Sequence, residues 1–225
     1  MLLPWFLSLV VFLVSASTCV AGSADLETLW TFDDIALGKL PANFACPNQN
    51  GNRGPAWTVI ESKKALNPPK VLAVGEHSRN TGHPTIILAN EVTDDDFELS
   101  VSFVRATSKS GAGSGLIWRA RDERNYYLLQ LNPLGRNNMT LYRVVKGVRT
   151  QLDACARVDA VTRGFAQTEW HTLQVIVLGD RFVATFDGRD ALDCRDQTFT
   201  KGRVGLWSSG SSLTYFDNLH LKKLK

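Results

Sequence analysis

Charge of one sign, cysteine clusters and helical periodicity are what this sequence has little of. Its 225 residues carry 25 Lys and Arg against 22 Asp and Glu, a net charge of only +3. The basic residues are scattered, apart from Lys222, Lys223 and Lys225 at the end. That excludes the clustered basic footprint by which nucleic acid is held. There are 4 cysteines, with none of the Cys-x-x-Cys or Cys/His spacings that build zinc sites. No Gly-x-Ser-x-Gly stands between a strand and a helix, so a serine nucleophile of that kind is not encoded. The glycine- and serine-rich runs 111–115 and 208–212 lack the helix and lysine of a phosphate loop. Internal repeats and low-complexity linkers are missing too.

Only one long apolar run is present, Leu2 to Val14, followed by small residues through Ala24. It falls short of the roughly 20 residues that span a bilayer. Residues 1–22 therefore read as a secretory signal peptide, and 23–225 as one exported domain without a membrane partner once the leader is cut. Export permits disulfides. Cys155 and Cys194 each follow a strand-like run and are the preferred pair, leaving Cys46 free or paired between chains.

What is present is strands. Thirteen short runs rich in β-branched and aromatic residues alternate with turn signals: Leu29–Phe32, Trp57–Ile60, Val71–Val74, Thr85–Leu88, Phe97–Val104, Gly115–Arg121, Tyr126–Leu131, Met139–Val145, Val148–Leu152, Trp170–Leu178, Arg181–Asp187, Arg203–Trp207 and Leu213–Leu221. Only 156–168 reads as a short helix or long loop. The class is all-β, a two-sheet antiparallel β-sandwich. In "HTLQVIVLGDRFVATFDG" the Gly179-Asp180 turn pairs Val177 with Phe182, Val175 with Ala184 and Leu173 with Phe186, all apolar and core-facing. In "GSGLIWRARDERNYYLLQLNP" a four-residue loop, Asp122 to Asn125, sets Arg121 opposite Tyr126. Leu116, Trp118 and Ala120 then share the core face with Tyr127, Leu129 and Leu131. Ile117, Arg119, Arg121, Tyr126, Leu128 and Gln130 share the other face. A hairpin closed by Lys146-Gly147 sets Leu141 opposite Leu152 and brings Tyr142 and Gln151 to the side of Arg119.

The runs "DDFELSVSFVRA", "GSGLIWRARDERNYYLLQL", "WHTLQVIVLGDRFVATFDGRDAL" and "GRVGLWSSGSSLTYFDNLHL" resemble the concanavalin A-like lectin/glucanase superfamily. Within it they are similar to laminin-G-like and 3-keto-disaccharide hydrolase domains, with Gly115, Arg119, Trp170, Asp187-Gly188, Gly205 and Phe216-Asp217 as the sharper points. The resemblance implies a jelly roll whose concave sheet carries the ligand, and a carbohydrate or glycoconjugate as partner. The Glu-x-Asp-x-x-Glu strand of the family's glucanases, which supplies the carboxylate pair of a retaining glycosidase, is not in this chain. The acids of "DDDFELS" (Asp94 to Ser100) crowd a strand entrance instead.

The residues expected to hold a sugar are Arg119, Arg121, Tyr126, Gln130 and Tyr142 on the outer sheet face, with Trp207. Aromatic faces stack on sugar rings, while planar guanidinium and amide groups bond hydroxyls. No catalytic residue, cofactor or metal site is assigned. A Ca²⁺ site would have to be built from Asp95 or Asp217 with loop carbonyls. His77 and His83 flank a loop without an acidic partner, and His171 falls on the core side of its strand. A glycan-binding domain is thus the expectation, with a hydrolase of 3-keto sugars and a protein-interaction module as alternatives.

Overall fold

Side chains alternate from face to face along nearly every strand, and two stacked sheets bury the apolar halves against each other. The computed structural model describes residues 27–47, 57–75, 84–93, 96–106, 113–132, 138–153, 155–157, 166, 168–209 and 213–224. The leader 1–22, His77, His83, Asp94, Asp95 and most of 156–168 lie outside the described residues.

The strands are β1 Glu27–Trp30, β2 Phe44–Ala45, β3 Trp57–Glu61, β4 Lys70–Val74, β5 Thr85–Thr93, β6 Phe97–Arg105, β7 Gly113–Asp122 and β8 Asn125–Leu131, then β9 Met139–Val145, β10 Val148–Gln151, β11 Cys155–Arg157, β12 His171–Leu178, β13 Arg181–Phe186, β14 Arg189–Arg195, β15 Gly202–Ser209 and β16 Thr214–Lys223. A nine-stranded sheet runs β11-β14-β13-β12-β6-β16-β4-β3, with β1 added on β16. The seven-stranded sheet that faces it runs β10-β9-β8-β7-β15-β5-β2. The pairings are antiparallel throughout, which is the two-sheet jelly-roll sandwich expected from the sequence.

The β12–β13 hairpin has the expected register, Val177 with Phe182, Val175 with Ala184 and Leu173 with Phe186. All six side chains are buried. β6 buries Leu99, Val101 and Phe103 while Ser100 and Ser102 stay partly exposed. The turn before β10 is at Lys146 and Gly147, and the Leu152 amide donates to the Leu141 carbonyl at 2.9 Å. Three strands are absent from the sequence reading: β2, β11 and β14. β14 is a polar strand, "RDALDCR", that packs little more than Ala191, Leu192 and Cys194 inward. β11 pairs with it so that Cys155 faces Cys194, and the two cysteines form a disulfide with Cα atoms 4.2 Å apart. Cys46 is free and half-buried, and burial pushes its thiol pKa up to about 12.

A second apolar cluster lies outside the main core, on the outer face of the seven-stranded sheet. It joins Ile86, Leu88, Ile117, Ala120, Tyr126, Leu128, Val144 and Trp207, with Tyr142 packed on its margin. The central strands of that sheet are therefore buried on both faces, and "GLIWRA" and "YYLLQL" read as nearly continuous apolar runs for that reason.

Candidate functional site

The β7–β8 hairpin departs from the regular ladder at the residues of greatest interest. Its turn is Glu123-Arg124, between the paired Asp122 and Asn125, and the next pair along is Trp118 with Tyr127. Arg119, Ala120 and Arg121 together oppose Tyr126 alone, a bulge in which Arg119 adopts a φ of 50°. The bulge exchanges faces. Ala120 joins Ile117 and Tyr126 in the outer cluster, whereas it was expected beside Trp118.

Arg119 turns the other way. Its Nη1 donates to the Phe199 carbonyl at 3.1 Å, and its guanidinium lies 5.7 Å from the centre of the core residue Phe182. The side chain is 4 % exposed. Arg121 stacks over Phe199 at 5.0 Å. Both arginines, expected on the sugar-facing side, hold the Phe199 segment instead. Gly202 of β15 makes the crossing feasible, because a Cβ there would lie 2.4 Å from the Arg119 carbonyl carbon. Burial lowers the Arg119 pKa, against the opposing pull of Tyr127, Asp96 and Asp180. Among the described residues no carboxylate pairs with this guanidinium.

The outer face is laid out by cross-strand rows. One row runs Thr140, Gln130, Gly115, Trp207 and Ile86. The next runs Gln151, Tyr142, Leu128, Ile117, Gly205 and Leu88. Tyr126, Gln130, Tyr142 and Trp207 thus share the expected face. They differ in access, however. Trp207 is 2 % and Tyr126 4 % exposed, so they form the floor rather than a free stacking surface. Burial raises the Tyr126 pKa, and Arg149 and a side-chain hydrogen bond with Trp207 pull it back. Gln130 and Tyr142 are half-buried. Arg149 of β10, which the sequence reading did not single out, completes them. Its Nη1 donates to Gln130 Oε1 at 2.9 Å, and its guanidinium lies 4.6 Å above the Tyr142 ring. The signal for it was the Lys146-Gly147 turn, which sets Arg149 opposite Val144 and, one strand further, Tyr126.

Other polar groups are committed to the fold. Tyr127 donates to Asp196 Oδ1 at 2.5 Å and accepts from the Phe199 amide at 3.1 Å. Asp196 also accepts from Arg143 at 2.8 Å and from the Thr198 amide at 2.8 Å. Burial and the Asp196 carboxylate push Tyr127 up to about 12. Burial alone would raise Asp196, but the bonds from Thr198 and Tyr127 and the charge of Arg143 outweigh it and hold its pKa low. Asp217 is fully buried and accepts from the amides of Leu66 (3.2 Å), Asn67 (3.1 Å) and Asn218 (2.8 Å). Desolvation raises its pKa against those amides. His171 bonds Asp187 at 2.8 Å and the Ala166 carbonyl at 2.9 Å. Among the described residues no group of three His, Cys, Asp or Glu side chains is placed to hold a metal ion.

This architecture is that of the lectin- and glucanase-type β-sandwiches. The carbohydrate-binding module CBM66 from Bacillus subtilis superposes with a TM-score of 0.59 at 16% identity, over 80% of this chain and 96% of that one. The VIP36 exoplasmic/lumenal domain, in its Ca²⁺/Man-bound form, gives 0.56 at 13% identity over 88% and 90%. The GH43 protein BlXynB from Bacillus licheniformis gives 0.51 at 14% identity, over 83% of this chain and 38% of that one. These likenesses carry the fold. No curated protein sequence matches. The chain belongs to the 3-keto-alpha-glucoside-1,2-lyase-like domain family, whose model matches residues 48–222.

Proposed function

We propose that this chain is a secreted glycan-binding domain that holds sugar on the outer face of its seven-stranded sheet. The carrying observation is the Tyr142–Arg149–Gln130 group, an aromatic ring, a guanidinium and an amide already bonded to one another at the margin of that face. An aromatic face with adjacent planar donors and acceptors suits the apolar faces and hydroxyls of a sugar. Fixing the group beforehand lowers the ordering cost of binding. Tyr126 and Trp207 act beneath it as a packed floor. The carbohydrate-related family, and a carbohydrate-binding module and a mannose-bound domain among the structural neighbours, support the same reading.

The family's name favours a second reading, a lyase on 3-keto-glucosides. In that reaction a base takes the C2 proton, acidified by the C3 carbonyl. The C2–H electron pair becomes the C1–C2 double bond, and the C1–O pair leaves with the aglycone. The base must lie within hydrogen-bond reach of C2. Among the described residues, the two central rows of the face contain neither a carboxylate nor an imidazole, so binding is the reading adopted. A glycan array followed by calorimetry on Tyr142→Ala and Arg149→Ala tests it. Binding without turnover, weakened by either change, supports it; release of a keto-sugar product supports the lyase.

A further inference from the structure

At the opposite edge of the sandwich, between β1 and β2, lies a cavity of about 230 Å³ lined by Trp30, Thr31, Phe32, Asp34, Pro41 and Asn43, among others. We infer that it is a second ligand site, for a single neutral sugar ring, separate from the outer face and independent of the reading given above. Three observations carry this.

The first is unspent polarity. Asp34 and Asn43 are exposed, and among the described residues nothing pairs with the Asp34 carboxylate or the Asn43 side-chain amide. The neighbouring Asp33, by contrast, is tied to Lys70: its Oδ1 accepts from the Lys70 amide at 3.3 Å and its carbonyl from Lys70 Nζ at 2.6 Å.

The second is preorganisation. Lys70 Nζ also bonds the Ile35 carbonyl at 2.8 Å. The Gly38 amide donates to Val59, Val59 to Lys39, Phe44 to Pro41 and Asn90 to the Asn43 carbonyl, all at 2.8–3.0 Å. Phe32 is held at a φ of 66° while buried, a conformation that a bulky residue adopts only where its surroundings enforce it. The loop that carries Asp34 and Asn43 is therefore fixed before any ligand arrives.

The third is chemistry and size. Trp30 is half-buried, braced edge-on by Phe44 at 5.5 Å, and supplies an apolar wall. A carboxylate accepts from vicinal hydroxyls and an amide both donates and accepts. The carboxylate also disfavours anionic ligands. The volume is below the roughly 300–1,000 Å³ typical of drug-sized ligands, which fits one ring rather than a chain.

The test is titration of the ¹⁵N-labelled chain with methyl glucoside, methyl galactoside, methyl mannoside and fructose, followed by NMR. Tetramethylammonium serves as the cationic control. The expected result is a saturable shift of the Trp30 indole and Asn43 side-chain signals with at least one sugar. Affinity should fall about 10-fold or more in Asp34→Asn, the weight of one charge-assisted hydrogen bond, and be unchanged in Tyr142→Ala. Asp34 is exposed, so Asp34→Asn keeps the fold, and Asn43→Ala provides a second variant that should weaken binding. The inference is overturned if no sugar moves these signals, if Asp34→Asn and Asn43→Ala bind like the parent, or if only tetramethylammonium binds. Sugar binding abolished by Tyr142→Ala alone would overturn this site and leave the outer face standing.

Discussion

Replacing Arg119 separates a residue that holds the fold from one that holds a sugar. The side chain is 4 % exposed, donates once to the Phe199 carbonyl at 3.1 Å and sits 5.7 Å from the Phe182 ring. Among the described residues its buried Nε has no partner. A hydrogen bond from a charged donor contributes about 1.5–3 kcal/mol, and a cation–π contact about 0.5–2 kcal/mol. Against these stands the several kcal/mol of desolvating an ion that, among the described residues, no carboxylate touches, Asp96 and Asp180 acting only from a distance. Arg119→Ala also opens a cavity where the stem was, so a net loss of about 2–4 kcal/mol is expected. Arg119→Met keeps the stem and removes the buried charge, at the cost of an unpaired Phe199 carbonyl. It should stay within about 1.5 kcal/mol of the parent. Urea unfolding of both variants, read by circular dichroism, gives the two values, and calorimetry on the folded proteins gives glycan affinity. Arg119→Met as damaging as Arg119→Ala, or folded Arg119→Met without glycan affinity, would refute the reasoning.

Tyr127→Phe should cost about 2–4 kcal/mol, since it strips Asp196 of one donor and leaves the Phe199 amide unpaired. The Asp196 pKa is lowered in the folded chain, so its stabilisation is complete above the unfolded carboxylate pKa and is lost as pH falls through the folded one. Unfolding curves between neutral and strongly acidic pH should therefore show a smaller acid-dependent loss in Tyr127→Phe than in the parent. Gly205→Ala puts a Cβ 2.1 Å from the Ile87 carbonyl oxygen, and the central strand can yield little; a loss of about 3 kcal/mol or more is expected in thermal unfolding. Reducing the Cys155–Cys194 bond, which spans a sequence separation of 39, should lower stability by about 4 kcal/mol on the chain-entropy model, read by urea unfolding with and without dithiothreitol.

Where the ladder is regular, the sequence reading and the structure agree. Residues 171–187 fold in the expected register because strict alternation and a glycine turn leave one solution that buries Leu173, Val175 and Val177 together. The β7–β8 hairpin obeys the same logic at its turn end. It then breaks the logic at Arg119, whose left-handed backbone nothing in "WRARD" announces, since that position is usually taken by glycine or asparagine. The bulge depends on Gly202, about eighty residues downstream, which no local pattern connects to it. Tyr126, Gln130 and Tyr142 were assignable to one face by parity, and Trp207 was added to them by residue type. Burial of two of them was not, although apolar Ile117 and Leu128 on that same face already showed that it is partly a core. β14 was invisible because a strand rich in charge, one in from the sheet edge, looks like a loop when only hydrophobicity is counted.

The glycan-binding assignment rests on Tyr142 and Arg149, so its test is titration calorimetry of the parent, Tyr142→Ala and Arg149→Ala with a glycan selected on an array. Arg149 is exposed and Tyr142 is half-buried against the margin of the outer cluster. Arg149→Ala should therefore unfold within about 1 kcal/mol of the parent and Tyr142→Ala within about 2 kcal/mol. Each should weaken glycan binding by about 10-fold or more. Unaltered affinity in both folded variants would contradict the assignment.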